Sequence, residues 1–158
     1  MGETEDNYIK ILFRFHNELW AGMDVETMWA TLIDKEKGLY KIDNIPFYAP
    51  LVASDDIVFA EYDESEKMLC YRKTVEHSGN SIVQVFLMNK KYDIAQIRDI
   101  FKNLGCISEG VNDTFFSMEI PFGISYWPVK QKLKGLELEK IIAYAEPCLS
   151  QKHSSLQP

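Results

Sequence analysis

The sequence predicts a single α+β domain over residues 8–149, and three observations lead there. The first half carries short runs of period two separated by turn-forming segments, the pattern of antiparallel hairpins. After residue 92 the apolar period changes to three and four, which is helical. With 46% hydrophobic and 13% aromatic residues in a chain of 158, there is enough apolar side chain to bury a core of ordinary size without a disulfide or metal staple.

Residues 8–15 alternate, with Ile9, Ile11, Phe13 and Phe15 on one face and Lys10, Leu12 and Arg14 on the other, the period of a half-buried strand. Residues 27–33 and 39–45 are two further β-like runs. Asp34-Lys35-Glu36-Lys37-Gly38 joins them as a hairpin connection in which Gly38 can take positive φ, and Pro46 and Pro50 close the run. A second hairpin follows from residues 57–62 and 68–75 around the polar turn 63–67. Glu76-His77-Ser78-Gly79-Asn80 is a turn cluster, and residues 81–88 are an Ile- and Val-rich strand.

Asp93 fits an N-cap with Gln96 three residues on, Ile94, Ile97, Phe101 and Leu104 repeat on one helical face, and Gly105 sits where a C′ glycine belongs. Strands over residues 106–109 and 114–120 flank the turn 110–113. Pro128 opens a second helix carrying Val129, Leu133, Leu136, Ile141, Ile142 and Ala145, with Gly135 inside it and Pro147 as its limit. The second half therefore reads as a ferredoxin-like βαββα unit, packed with the N-terminal antiparallel β-hairpins. Outside the domain, residues 1–7 are expected to be a disordered acidic N-terminus and residues 150–158 a flexible tail.

The acidic start lacks the basic and apolar regions of a secretory signal, and no apolar run approaches the roughly 20 residues that span a bilayer. The expected location is the cytoplasm, with no membrane partner. Cys70, Cys106 and Cys148 are an odd number without C-x-x-C spacing, which argues against a disulfide framework or a zinc knuckle and for small buried hydrophobes. A net charge of -7 disfavours direct binding to nucleic acid. That charge is uneven: residues 1–80 hold 16 acidic and 8 basic side chains, residues 81–158 hold 8 and 9.

Glu76, His77 and Ser78 offer an acid, a base and a hydroxyl in succession. Neighbours on one turn rarely meet with nucleophile–base geometry, and Ser78 lies in no G-x-S-x-G elbow, so a hydrogen-bonded turn accounts for them and no catalytic residue is assigned. His16, His77 and His153 are too few for a transition-metal set, and no phosphate-binding glycine loop or H-E-x-x-H is present; no cofactor or metal is expected. The strongest binding candidate is the acidic cluster Asp55, Asp56, Glu61, Asp63, Glu64 and Glu66, with Tyr62 inside it. Two accounts fit: a solvated rim that discourages edge-to-edge strand pairing, or a face that steers a basic partner, with Tyr62 and the nearby Phe47, Tyr48 and Phe59 as anchors.

Residues 26–88 contain Met28-Trp29-Ala30, Asn44-Ile45-Pro46-Phe47, Asp55-Asp56-Ile57-Val58 and His77-Ser78-Gly79-Asn80-Ser81. On these segments the chain resembles a bacterial domain family of unknown function, the likeness extending over residues 8–146. Small acidic families of this kind resemble immunity proteins encoded beside polymorphic or contact-dependent toxins. The resemblance implies a protein that binds a cognate toxin domain and occludes its active site, and it supplies no functional residue to carry over; the acidic first half is what points to a basic surface on that partner. Two alternatives stay open: a small enzyme using the Glu76-His77-Ser78 turn, and a small-molecule-binding regulatory module with its pocket between the two halves.

Overall fold

The computed structural model describes residues 7–17 and 22–155. The acidic N-terminus expected over residues 1–7 lies outside the described residues apart from Asn7, as do residues 156–158. The fold is mixed α/β with mostly antiparallel sheets. The chain forms two compact units, residues 1–78 and 79–158. The physical reason is that its apolar residues separate into two clusters, one per unit.

In the first unit, β1 (Tyr8–Asn17), β2 (Gly22–Asp34), β3 (Leu39–Ile42), β4 (Ile57–Asp63) and β5 (Met68–Glu76) pair in chain order and close into a barrel. Closure comes from a short parallel pairing that sets Ile11 beside Leu69 and Leu12 beside Cys70. The alternation read in β1 fixes which side turns inward. Ile11 and Phe13 join Met28, Ala30, Ile42, Val58 and Ala60 in the core, and Phe13 stacks on Tyr71 at 4.7 Å. Gly38 takes φ +68 in the β2–β3 turn, where an added Cβ would stand 2.9 Å from the Phe59 ring. The long connection from β3 to β4, residues 43–56, sends Ala49 and Val52 into the same core.

In the second unit, β6 (Ser81–Leu87), α1 (Ile94–Lys102), β7 (Ile107–Asn112), β8 (Phe115–Ile120), α2 (Tyr126–Leu138), β9 (Ile142–Cys148) and the short α3 (Gln151–Ser154) follow one another. The sheet order is β7-β8-β6-β9, every neighbour antiparallel. Asp93 and Gln96 form the capping box of α1. Gly105, at φ +98, ends that helix, with the Cys106 N–H donating to the Phe101 carbonyl at 3.0 Å. Ile97 and Phe101 are buried, Phe101 against Phe116.

Two expectations are corrected here. The second helix does not run to Ala145 but stops at Leu138. Lys140 adopts φ +62, its N–H donates to the Glu137 carbonyl and the Ile141 N–H donates to the Leu136 carbonyl, each at 2.9 Å. This is a Schellman cap without glycine, closed by the buried Leu136 and Ile141. Ile142 and Tyr144 then pair with Leu87 and Val85 as a strand. Helix end and strand bury into one core, so their apolar residues, read in line, imitate a continuing helix.

The second correction concerns the tail expected over residues 150–158. Residues 150–155 are held down: Ser150 caps α3, and His153 is 2% exposed. The Nε2 of His153 lies 3.0 Å from the Ile124 carbonyl, an acceptor only, so Nε2 carries the proton. Nδ1 therefore accepts from the Ser81 hydroxyl at 2.6 Å, while Ser81 Oγ accepts the Ser150 N–H at 2.8 Å. Burial lowers the His153 pKa, which keeps the ring neutral for this arrangement.

Candidate partner-binding surface

The acidic cluster is continuous in sequence but divided in space. Asp55 and Asp56 precede β4, whereas Asp63 is its last residue and Glu64 and Glu66 follow it. Six residues of that strand lie between Asp56 and Asp63, about 20 Å at the usual rise of about 3.3 Å per residue. A single acidic patch is therefore replaced by two sites at opposite ends of one strand.

Asp56 leaves the surface altogether. It is 1% exposed and accepts the Ala53 N–H at 2.9 Å and the Ser78 N–H at 2.8 Å. Its role is to tie the β3–β4 connection to the turn after β5, because a buried carboxylate requires donors and these two backbone groups supply them. Its assignment to a partner-binding face is withdrawn. Asp55 stays half exposed, 3.9 Å from Lys41.

At the other end of β4, the β4–β5 turn is fixed by its own hydrogen bonds. Asp63 Oδ1 accepts the Ser65 N–H at 2.9 Å, the Ser65 hydroxyl at 2.5 Å and the Glu66 N–H at 3.3 Å, and Arg72 donates to Oδ2 at 3.2 Å. The Ser65 hydroxyl and then Arg72 hold the Asp63 carboxyl down at about 2. Lys67 completes the turn at φ +57, its N–H donating to the Asp63 carbonyl at 2.7 Å. Glu66 pairs with Arg14. Glu61 and Glu64 are exposed and make no ion pair among the described residues. Just before the turn, at the end of β4, Tyr62 is 57% exposed, and strand alternation sets its ring on the face opposite Glu61 and Asp63.

The Glu76-His77-Ser78 turn does not assemble a nucleophile and base. Ser78 Oγ donates to the Ser54 carbonyl at 2.8 Å, and His77 turns its Nδ1 toward Asp56, 3.4 Å away, with the side chain 67% exposed. Among the described residues, no three His, Cys, Asp or Glu side chains gather as a metal ion requires, and no helix is long and apolar enough to cross a membrane. Cys70, Cys106 and Cys148 are buried free thiols, and burial pushes Cys106 up to about 12. An open cleft of about 420 Å³ lies between α1 and β7 in the second unit, lined by Arg98, Lys102 and Cys106 among others. Arg98 donates across it to the Ser108 hydroxyl at 2.8 Å and the Ser108 carbonyl at 3.1 Å.

Sequence reasoning missed Glu26. From β2 its carboxylate accepts the N–H groups of Phe47, Tyr48 and Ala49 at 2.7, 3.0 and 2.8 Å, fixing the first part of the β3–β4 connection. No local pattern announces a carboxylate whose donors lie 21 to 23 residues away.

Residues 26–144 match the family model described as "Domain of unknown function (DUF4265)". Among solved structures, the chain is similar to one reported as the "Novel crystal structure of a hypothetical protein from Neisseria gonorrhoeae". The match has a TM-score of 0.79 at 21% identity and covers 90% of this chain and 95% of that one. At that identity the likeness speaks for the fold. No curated protein matches the chain.

Proposed function

This chain belongs to the DUF4265 family of domains of unknown function, and from that premise we propose that it is a partner-binding protein of the immunity type. In this reading it acts in the cytoplasm and occludes a cognate toxin domain that has a basic surface. The second unit, with strand order β7-β8-β6-β9, is read as ferredoxin-like.

The observation that carries the proposal is Tyr62, more than half exposed at the end of β4, next to a turn of fixed geometry that carries Asp63, Glu64 and Glu66. Edge protection is the competing account of such charge. It loses force here because β4 and β5 are both internal to a closed barrel, which has no free edge to protect. A solvated rim also needs no exposed aromatic ring. Physically, the carboxylates would raise the rate of encounter with a cationic cleft, by tenfold or more at low salt. The ring would then bury in that cleft and slow release, since tyrosine is enriched among the residues that dominate binding energy.

The test is to sequence the adjoining genes and to co-express the chain with any toxin domain that they encode. Wild type is expected to restore growth and to purify with that domain as a stoichiometric complex. Tyr62→Ala combined with Glu61→Gln and Glu64→Gln is expected to lose both. A toxin whose activity is unchanged by an equimolar amount of wild-type protein would refute the proposal.

A further inference from the structure

The second site rests on a different observation, at the opposite end of β4. Leu51 has φ +63 and is 72% exposed. Each feature is unfavourable. A branched residue in the left-handed region costs roughly 1–2 kcal/mol, which is why glycine or asparagine usually stands there. An exposed leucine also gains nothing from burial. The backbone turns at Pro50 and Leu51, a turn glycine would make without that cost, and the flanking backbone is secured on both sides. Glu26 holds Phe47, Tyr48 and Ala49 by their N–H groups; Val52 and Ala53 are buried; Asp56 holds Ala53. The loop is anchored at both feet, and its apex, Pro50 and Leu51, is turned to solvent. Tyr48 beside it is 44% exposed.

We infer that the Leu51 apex is an interaction knob, and that its occupant is an apolar pocket rimmed by cations on the partner protein. Leu51 shares the left-handed backbone with Asp55, at φ +67 in the same connection, and strain that the surroundings support is characteristic of sites that bind. A knob already held in its bound shape avoids the entropy that a mobile loop would lose on association. Charge selects the rim. The same end of the barrel carries Glu26, Asp43 and Asp55, with Lys41 3.9 Å from Asp55, so the surroundings of the knob are net acidic. The inference rests on the proposed function in one respect, that the pocket belongs to the same basic toxin domain. One partner could bridge both ends, because about 20 Å lies within the span of an interface of ordinary size.

Leu51→Gly separates the alternatives, since it removes the knob and suits the backbone. Leu138→Ser is the control, a still more exposed leucine in the second unit. The probe is the toxin domain that the co-expression test identifies, purified in an inactivated form. Leu51→Gly is expected to melt several degrees higher than wild type and to dissociate from the toxin at least tenfold faster, with Leu138→Ser matching wild type in both. A lower melting temperature for Leu51→Gly would show that Leu51 serves the fold and overturn the inference. If wild type binds and Leu51→Gly dissociates at the same rate, the knob alone falls. If wild type does not bind the toxin, the proposed function and the knob fall together.

Discussion

Replacing Asp56 by alanine tests the account of the barrel unit most severely, because a surface acid and a buried tether predict opposite outcomes. The carboxylate accepts the Ala53 N–H at 2.9 Å and the Ser78 N–H at 2.8 Å, and both Asp56 and Ala53 are 1% exposed. A hydrogen bond to a charged group contributes about 1.5–3 kcal/mol, and an orphaned buried donor keeps its full desolvation cost. Ser78 is only part-buried and recovers some solvation from water, so the expected loss for Asp56→Ala is about 3–4 kcal/mol. Against a typical stability of about 5–15 kcal/mol that is a large fraction. Asp56→Asn keeps one acceptor oxygen and should lose less. Asp55→Asn tolerates the left-handed backbone at that position, φ +67, and should stay within about 0.5 kcal/mol of wild type. Urea unfolding followed by fluorescence gives all three values. A loss below about 1 kcal/mol for Asp56→Ala would mean that the carboxylate does not hold the two loops together.

Three further outcomes follow from the same structure. Phe101→Ala removes a fully buried ring packed on Phe116 and should cost about 3–5 kcal/mol in denaturant unfolding; a change below about 1 kcal/mol would mean the α1 face is misassigned. Gly38→Ala forces a Cβ to within 2.9 Å of the Phe59 ring at φ +68 and should lower stability by at least about 1 kcal/mol, whereas Gly135→Ala, in open space within α2, should raise it by a few tenths of that. The His153 pKa is lowered from 6.5 by burial first, so the unfolded chain takes up a proton before the folded one. Its contribution to stability is complete above pH 6.5 and declines as pH falls below it. Melting curves from pH 7.5 to 5.5 should therefore show a decline that His153→Gln reduces, and an identical pH slope in that variant would exclude the buried neutral ring.

The parts of the fold legible in the sequence were those in which neighbours in the chain are neighbours in space. The alternation through Ile9, Ile11 and Phe13, the hairpin at Gly38 and the Asp93–Gln96 capping box each depend on contacts within a few residues. Closure of the barrel was not legible, because the pairing of Ile11 with Leu69 spans most of the unit and leaves no periodic trace. β9 was hidden because a Schellman cap formed on Lys140, where glycine would have announced it. Ser150 and His153 looked like a polar tail because their partners, Ser81 and Ile124, lie far back in the chain. The same limit applied to the candidate site. Six acidic residues within twelve positions suggested one patch, and only the strand between them reveals two ends and one buried member.

The central claim is that the β4–β5 turn steers and anchors a basic partner, and association kinetics test it most directly. Glu61→Gln with Glu64→Gln removes two exposed charges while keeping Asp63, whose hydrogen bonds hold the turn, and the Glu66–Arg14 pair. The association rate with the neighbouring toxin domain is measured by stopped flow at about 20 mM and about 500 mM salt, on either side of the ionic strength at which a Debye length is about 10 Å. The account predicts that wild type associates much faster at low salt, and that the variant is several-fold slower there with a flatter salt dependence, the two rates converging at high salt. Equal rates and equal salt slopes for the two proteins would contradict it.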